Sequence, residues 1–158
     1  NTVLSPESSF VIRNLTSASS TIVFSGDVLL GSIGMIITTR EDGEQDNHVY
    51  NPLPVSLTLD QLGLRSSGAV SVSTDPFNPK DLVFVYQNGE TGINRAPASA
   101  YAYHDGSVTG QEGWFDINAP FVGGIGNSVS VDAGSAIVVR KASTSSASQA
   151  VWTVTAPY

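Results

Sequence analysis

An all-β domain is what this sequence predicts, a single-domain antiparallel β-sandwich or barrel of about ten short strands. Three observations carry the prediction. Charged residues make up only 13% of the chain, well below the usual quarter. Ser, Thr, Gly and Asn take their place, which favours strands and turns over helices that carry Glu/Lys pairs on the wet face. Short β-branched runs recur at roughly even spacing between Gly, Pro, Asn and Asp turn signals. The length of 158 residues and the apolar fraction of 41% fit one domain over 1–158. A chain of that size buries about 70% of its unfolded surface and can build a core without metal or disulfides.

The strands follow in order. Phe10-Val11-Ile12 and Thr21-Ile22-Val23-Phe24 are short β-branched runs flanked by Ser-rich or Gly turns. Gly34 to Thr39 is another. Val55-Ser56-Leu57 and Ala69 to Ser73 alternate apolar and polar residues, with Val70 and Val72 on one face. Leu82 to Tyr86 is continuously apolar and reads as a central strand. It ends at Asn88-Gly89, the strongest short hairpin signal, and Ala98 to Tyr103 follows. Asp105-Gly106 marks the next turn, before Gly113 to Ile117. Ser128 to Val131, Ala136 to Arg140 and Ala150 to Thr155 complete the set. At most one short helix is expected, near 58–63. Thr58 and Gln61 have capping-box spacing, Gly63 stands where a left-handed closing residue is wanted, and Leu59, Leu62 and Leu64 would face the core. Asp75-Pro76 and Asn78-Pro79 predict turns.

Composition also narrows the partners. The net charge is −7, and the seven Lys and Arg residues are scattered, with only Arg140 and Lys141 adjacent. Phosphate neutralisation needs a clustered positive face, so nucleic acid and anionic membrane surfaces are disfavoured. No apolar run approaches the ~20 residues of a membrane span. The absence of cysteine excludes thiolate metal sites and a Cys nucleophile.

An internal repeat links the two ends. Phe10-Val11-Ile12-Arg13 matches Ile137-Val138-Val139-Arg140, and each is followed by a Ser/Thr-rich stretch and a second strand, Thr21–Phe24 or Val151–Val154. Asn1-Thr2-Val3 and Asn127-Ser128-Val129 precede the two copies. The expectation is a pair of related terminal β-hairpins, at about 1–26 and 127–157, with chance recurrence of a common β pattern as the alternative.

Several segments together carry a resemblance. They are Phe24–Val28, Leu57–Leu64, Ser73–Asp81, Leu82–Tyr86, Thr91–Ala96, Ala98–Tyr103, the run from Gly134 through Val139-Arg140-Lys141-Ala142, and the end from Trp152 to Pro157-Tyr158. Over most of its length the chain resembles an uncharacterised secreted β-rich protein family typical of verrucomicrobial-type bacteria. That resemblance implies secretion, an extracellular or cell-surface location and a β-rich fold. It implies no activity and transfers no catalytic residue.

The candidate sites are few. Asp42, Glu44 and Asp46 place oxygen ligands at alternate positions, as a calcium loop does. The Gly and closing Glu of an EF-hand are missing, and the competing reading is a solvated turn. His48 and His104 are the only histidines, with a polar turn as the default for His104. Gly31-Ser32-Ile33-Gly34 and Gly123-Gly124-Ile125-Gly126 lack a following helix, so they read as bends rather than phosphate loops. Tyr86, Tyr101, Tyr103, Trp114, Phe115 and Trp152 are candidates for a sugar-stacking platform, against the commoner reading of core or cross-strand aromatics. Asn14-Leu15-Thr16 is a glycosylation sequon. An enzyme would need Asp105, Glu112 and Asp116 to converge in a cleft, which nothing in the sequence predicts; no catalytic residue and no cofactor is expected.

The leading functional expectation is an extracellular structural subunit that assembles with copies of itself into a filament, fibre or surface layer. Its terminal strands, Thr2–Leu4 and Val151–Thr155, carry no Lys or Glu to blunt an edge. The alternative is a secreted carbohydrate- or surface-binding module with glycans as partners.

Overall fold

The computed structural model describes residues 15, 16, 18, 19, 21, 31–87, 95–108 and 110–157. Among these residues the β-branched runs form nine strands: β1 Ile33–Thr38, β2 Gln45–Tyr50, β3 Leu57–Thr58, β4 Leu82–Val85, β5 Ser99–Asp105, β6 Glu112–Asp116, β7 Ser130–Val131, β8 Ala136–Lys141 and β9 Gln149–Val154. Five make one antiparallel sheet in the order β2-β8-β4-β5-β6, while β1 pairs with β9 and β3 with β7. The protein is thus an all-β sandwich of several antiparallel sheets, and no barrel closes among the described residues. None of its helical segments is long and apolar enough to cross a membrane, again among the described residues.

The core lies between the inner face of the five-stranded sheet and the smaller sheets. Val83 and Val85 of β4, Ile137 and Val139 of β8 and Trp114 of β6 meet Met35 and Ile37 of β1, and Trp152 and Val154 of β9. The period-two alternation that brings these residues inward also sets the register, with Val83 opposite Val139 and Val85 opposite Ile137. As its unbroken apolar run predicts, β4 is the middle strand of the large sheet. The Trp152 indole, fully buried, donates its N–H to the Leu62 carbonyl at 2.6 Å, which satisfies the one polar atom it takes into the core.

The segment expected to be a helix is a run of separate turns instead. Its local chemistry is as predicted. Gln61 N–H donates to Thr58 Oγ1 and Thr58 N–H to Gln61 Oε1, which is the reciprocal capping pair. Gly63 has φ +67, and Leu59, Leu62 and Leu64 are fully buried. The turn stops because Gly63 enters the left-handed region after a single Leu62 N–H to Thr58 C=O bond. A helix needs consecutive bonds of that kind.

Three further expectations change. Residues 69–72 are not a strand. Their backbone groups are taken by side chains: Ala69 C=O accepts from Lys141 and Ser71 N–H donates to Asp81. Only Ser73 reaches a neighbour strand, in an isolated bridge to His104. The C-terminal half of the repeat, at 127–157, is not a hairpin. Both edges of β8 are filled, by β2 and β4, and β9 crosses to pair with β1 in another sheet. The N-terminal copy, at 1–26, lies largely outside the described residues, as do Thr2–Leu4, Asn88-Gly89 and Asn14 of the sequon. Finally, β2 is a strand that its polar sequence hides. Asn47 and Val49 point inward while Asp46 and His48 sit on the opposite face.

Two buried asparagines hold the layers together. Asn47 Oδ1 accepts from Thr38 N–H and Thr38 Oγ1, and its amide donates to the Thr38 and Val139 carbonyls. Asn51 donates to the Val55 and Val131 carbonyls and accepts from Leu53 N–H. Each replaces a missing ladder bond with a side-chain amide, which supplies both donors and acceptors.

Candidate functional site

Cross-strand pairing on β5 and β6 builds one candidate site. The register puts Tyr103 opposite Trp114 and Asp105 opposite Glu112. Trp114 is buried, Tyr103 is half-buried at the margin of the sheet, and their rings meet edge-on at 5.5 Å. The turn that follows β3 lies against this margin. Together they form a cleft of about 370 Å³ floored by Leu59 and Trp114 and rimmed by Asp60, Arg65, Tyr103 and Glu112. The Arg65 guanidinium stands over the Tyr103 ring at 5.5 Å. The phenol donates to Glu112 Oε1 at 3.2 Å. Burial first, then the neighbouring Glu112 carboxylate, raises the Tyr103 pKa above its ordinary value, so this hydroxyl remains a neutral donor. Asp60 sits tightly over Gly126, where any Cβ would fall within about 2.3 Å of its carboxylate. Only glycine permits that approach.

A second groove, of about 400 Å³, opens between the sheets over a buried ion pair. Lys141 Nζ lies 2.5 Å from Asp81 Oδ2, and also donates to Ala69 C=O at 3.0 Å and Ser71 Oγ at 3.4 Å. Asp81 in turn accepts from Ser71 N–H at 2.6 Å and Ala142 N–H at 3.0 Å. An ammonium has three donors, and all three are engaged. The arrangement is a clamp that ties the 69–71 turn to the ends of β4 and β8.

The residues expected to form sites are placed as follows. Asp46 pairs with Arg140 through two bonds, of 2.7 and 2.9 Å, and Glu44 approaches the same guanidinium at 3.5 Å. Two of the three proposed calcium ligands thus share an arginine, and Asp42 is exposed in the bend before them. Among the described residues no three His, Asp or Glu side chains gather to hold a metal. His104 is buried rather than a solvated tip residue. Its Nδ1 accepts from Gly106 N–H and its Nε2 contacts Thr74 C=O at 3.1 Å, so both nitrogens serve the backbone. Asp105, opposite Glu112 in the register, and Asp116 cap local turns at Ser107 and Asn118, and the three carboxylates do not gather into one cluster. Of the candidate platform residues, Trp114, Phe115 and Trp152 are core residues, at most 1% exposed, as the commoner reading has it. Of that set, Tyr103 is the member that opens onto a cleft. The Gly123–Gly126 bend leads into a single 3-10 turn, Ile125–Asn127.

No family model, no curated protein and no solved structure matches this chain.

Among the described residues, exposed apolar side chains stand beside one another in two places, apart from the exposed Leu15, Val108 and Ile117. Ile36 and Val151, each 60% exposed, stand directly opposite one another on the outer face of the β1–β9 sheet. Neither strand carries a charged residue. At the loop tips, Phe77 and Phe121 are 64% and 66% exposed and pack edge-on at 5.2 Å, with exposed Val122 beside Phe121. Arg65 and the Asp81–Lys141 clamp were not singled out from the sequence. The clamp did leave a signal. Asp81 has the same inward parity as Val83 and Val85, and Lys141 the same as Ile137 and Val139. Opposite charges at the inward positions of two neighbouring central strands mark a buried pair.

Proposed function

We propose that this protein is an extracellular structural subunit that assembles with copies of itself. The observation that carries the reading is the uncharged β1–β9 sheet with Ile36 and Val151 exposed side by side. Edges and faces of soluble sheets are ordinarily blunted by charge. The edge strands of the large sheet follow that rule, with Asp46 on β2 and with Glu112 and Asp116 on β6. The β1–β9 sheet departs from it, and among the described residues no third strand pairs with either of its members. The exposed Phe77–Phe121 pair supplies a second, chemically similar surface at a different place on the molecule. Two separate apolar patches on one chain allow a head-to-tail contact, which gives an open fibre when its rotation does not close. The low charge density supports this by weakening repulsion between copies. Secretion, which the family resemblance implies, belongs to the same reading.

Sedimentation velocity over a concentration series, with electron microscopy of the same samples, tests it. Growth of large species with concentration is expected for the native chain, and its loss in the Ile36→Lys, Val151→Lys double variant. A native chain that sediments as a monomer throughout ends the proposal.

A further inference from the structure

The cleft beside Tyr103 has the chemistry of a ligand site. Among the described residues Arg65 makes no hydrogen bond or ion pair through its side chain, which lies over the face of Tyr103. A guanidinium carries five donors, and a solvated surface arginine gains little from being held in one place. Here Tyr103 holds it at the rim of a concavity whose floor is Leu59 and Trp114. Acceptors line the same cleft: Asp60, whose carboxylate packs against Gly126, and Glu112, whose Oε1 receives the Tyr103 hydroxyl.

Elimination narrows the ligand. A carboxylate or phosphate would meet two carboxylates against one guanidinium, so an anion is repelled on balance. A metal cation would meet Arg65, and no three ligating side chains gather there. A purely apolar molecule would strip water from charged groups without replacing it. An organic ammonium would suit the two carboxylates but, having only donors, would leave the Arg65 donors unused and face a like charge. What remains is a neutral molecule dense in hydroxyls with a C–H face. Its hydroxyls can donate to Asp60 and Glu112 and accept from Arg65, while its carbon face rests against the part of the Tyr103 ring that Arg65 leaves open.

We infer that the Tyr103 cleft binds a neutral sugar, held through adjacent hydroxyls by Arg65, Asp60 and Glu112. The site uses one half-buried aromatic rather than a row of exposed ones, so it takes one or two sugar units of a longer chain. This inference is independent of self-assembly, because a monomer presents the same cleft.

The test is amide NMR of the full 158-residue chain carrying Ile36→Lys and Val151→Lys, so that self-association does not intervene, titrated with neutral oligosaccharides (gluco-, xylo-, manno- and galacto-hexaoses) and, separately, with an oligogalacturonate. Saturable shifts are expected for at least one neutral sugar, confined to residues 59–66, 103 and 112–114. Arg65→Ala and Glu112→Gln should each weaken that binding by about tenfold or more, while Phe77→Ser, outside the cleft lining, leaves it unchanged. All three positions are exposed, so their variants retain the fold, which the same spectra verify. No shift with any neutral sugar up to about 10 mM overturns the inference. So does neutral-sugar binding that survives both cleft substitutions, or a response to the oligogalacturonate alone.

Discussion

Arg140 and Lys141 are neighbours on β8, carry the same charge, and live in opposite worlds. Period two sends Arg140 to the outer face, where it pairs with Asp46 of β2 and lies over the Phe84 ring at 5.1 Å. It sends Lys141 to the inner face, where it closes on Asp81 at the edge of the core. The outer pair leaves its side chains 36% and 38% exposed, the inner pair 6% and 3%. Exposed pairs contribute about 0.2–1 kcal/mol, because water competes for both partners. In a buried pair the cost of stripping water from two charges is large, and the pair is stable only as a complete set. The inner pair is complete: Ser71, Ala69 and Ala142 supply every remaining bond. Chemically similar pairs on adjacent residues thus have different roles, one adjusting a surface and the other fixing where a turn docks.

That contrast can be broken most sharply at the clamp. Lys141→Met leaves Asp81 as an uncompensated buried charge, and a loss of about 3–5 kcal/mol is expected in chemical denaturation. The double variant Lys141→Met, Asp81→Leu should recover most of that loss. A double variant as unstable as the single ones would show that the clamp, and not merely its balance, is required.

A neutral staple should fall between the two pairs. Asn47→Ala leaves the Thr38 N–H and the Thr38 and Val139 carbonyls short of partners, for an expected loss of about 1–3 kcal/mol by the same denaturation measurement. At the surface, Arg140→Met should cost no more than about 1 kcal/mol. In 1 M salt, where the Debye length is about 3 Å, that cost should shrink while the cost of Lys141→Met persists.

The smallest effect is in acid. The Arg140 hydrogen bond, helped by its charge, holds Asp46 below its ordinary carboxylate pKa. A lowered folded value means that the stabilisation is present above the unfolded pKa of about 3.9 and is lost as the pH falls through the folded value. Asp46→Asn should remove that part of the acid-limb slope, and comparing the two unfolding profiles between neutrality and pH 3 checks it.

The residues most readily legible were those whose partners lie close along the chain or whose pattern repeats. The β4 run Leu82–Val85, the Thr58–Gln61 capping pair and the Asp105-Gly106 turn need only their own neighbours to declare themselves. The polar strand β2 was concealed because Asn47 occupies an inward position that the pattern reserves for apolar residues; its amide is satisfied by Thr38 and Val139, nine and 92 residues away. The aromatics were visible as residues but not as surfaces. Tyr103 and Trp114 differ in exposure because β6 turns Trp114 into the core beneath the turn that follows β3.

By itself the sequence determined the all-β class, most of the strands, the central place of β4 and the buried leucines of the 59–64 turn. Periodicity and turn chemistry act over a few residues, and the chain carries them wherever it folds. Tertiary structure alone decided that β8 and β9 part into different sheets, that Asp81 finds Lys141, and that Arg65 comes to rest over Tyr103. Each of these joins segments far apart in the chain. Such pairings are selected by the shared burial of a whole face rather than by any local preference.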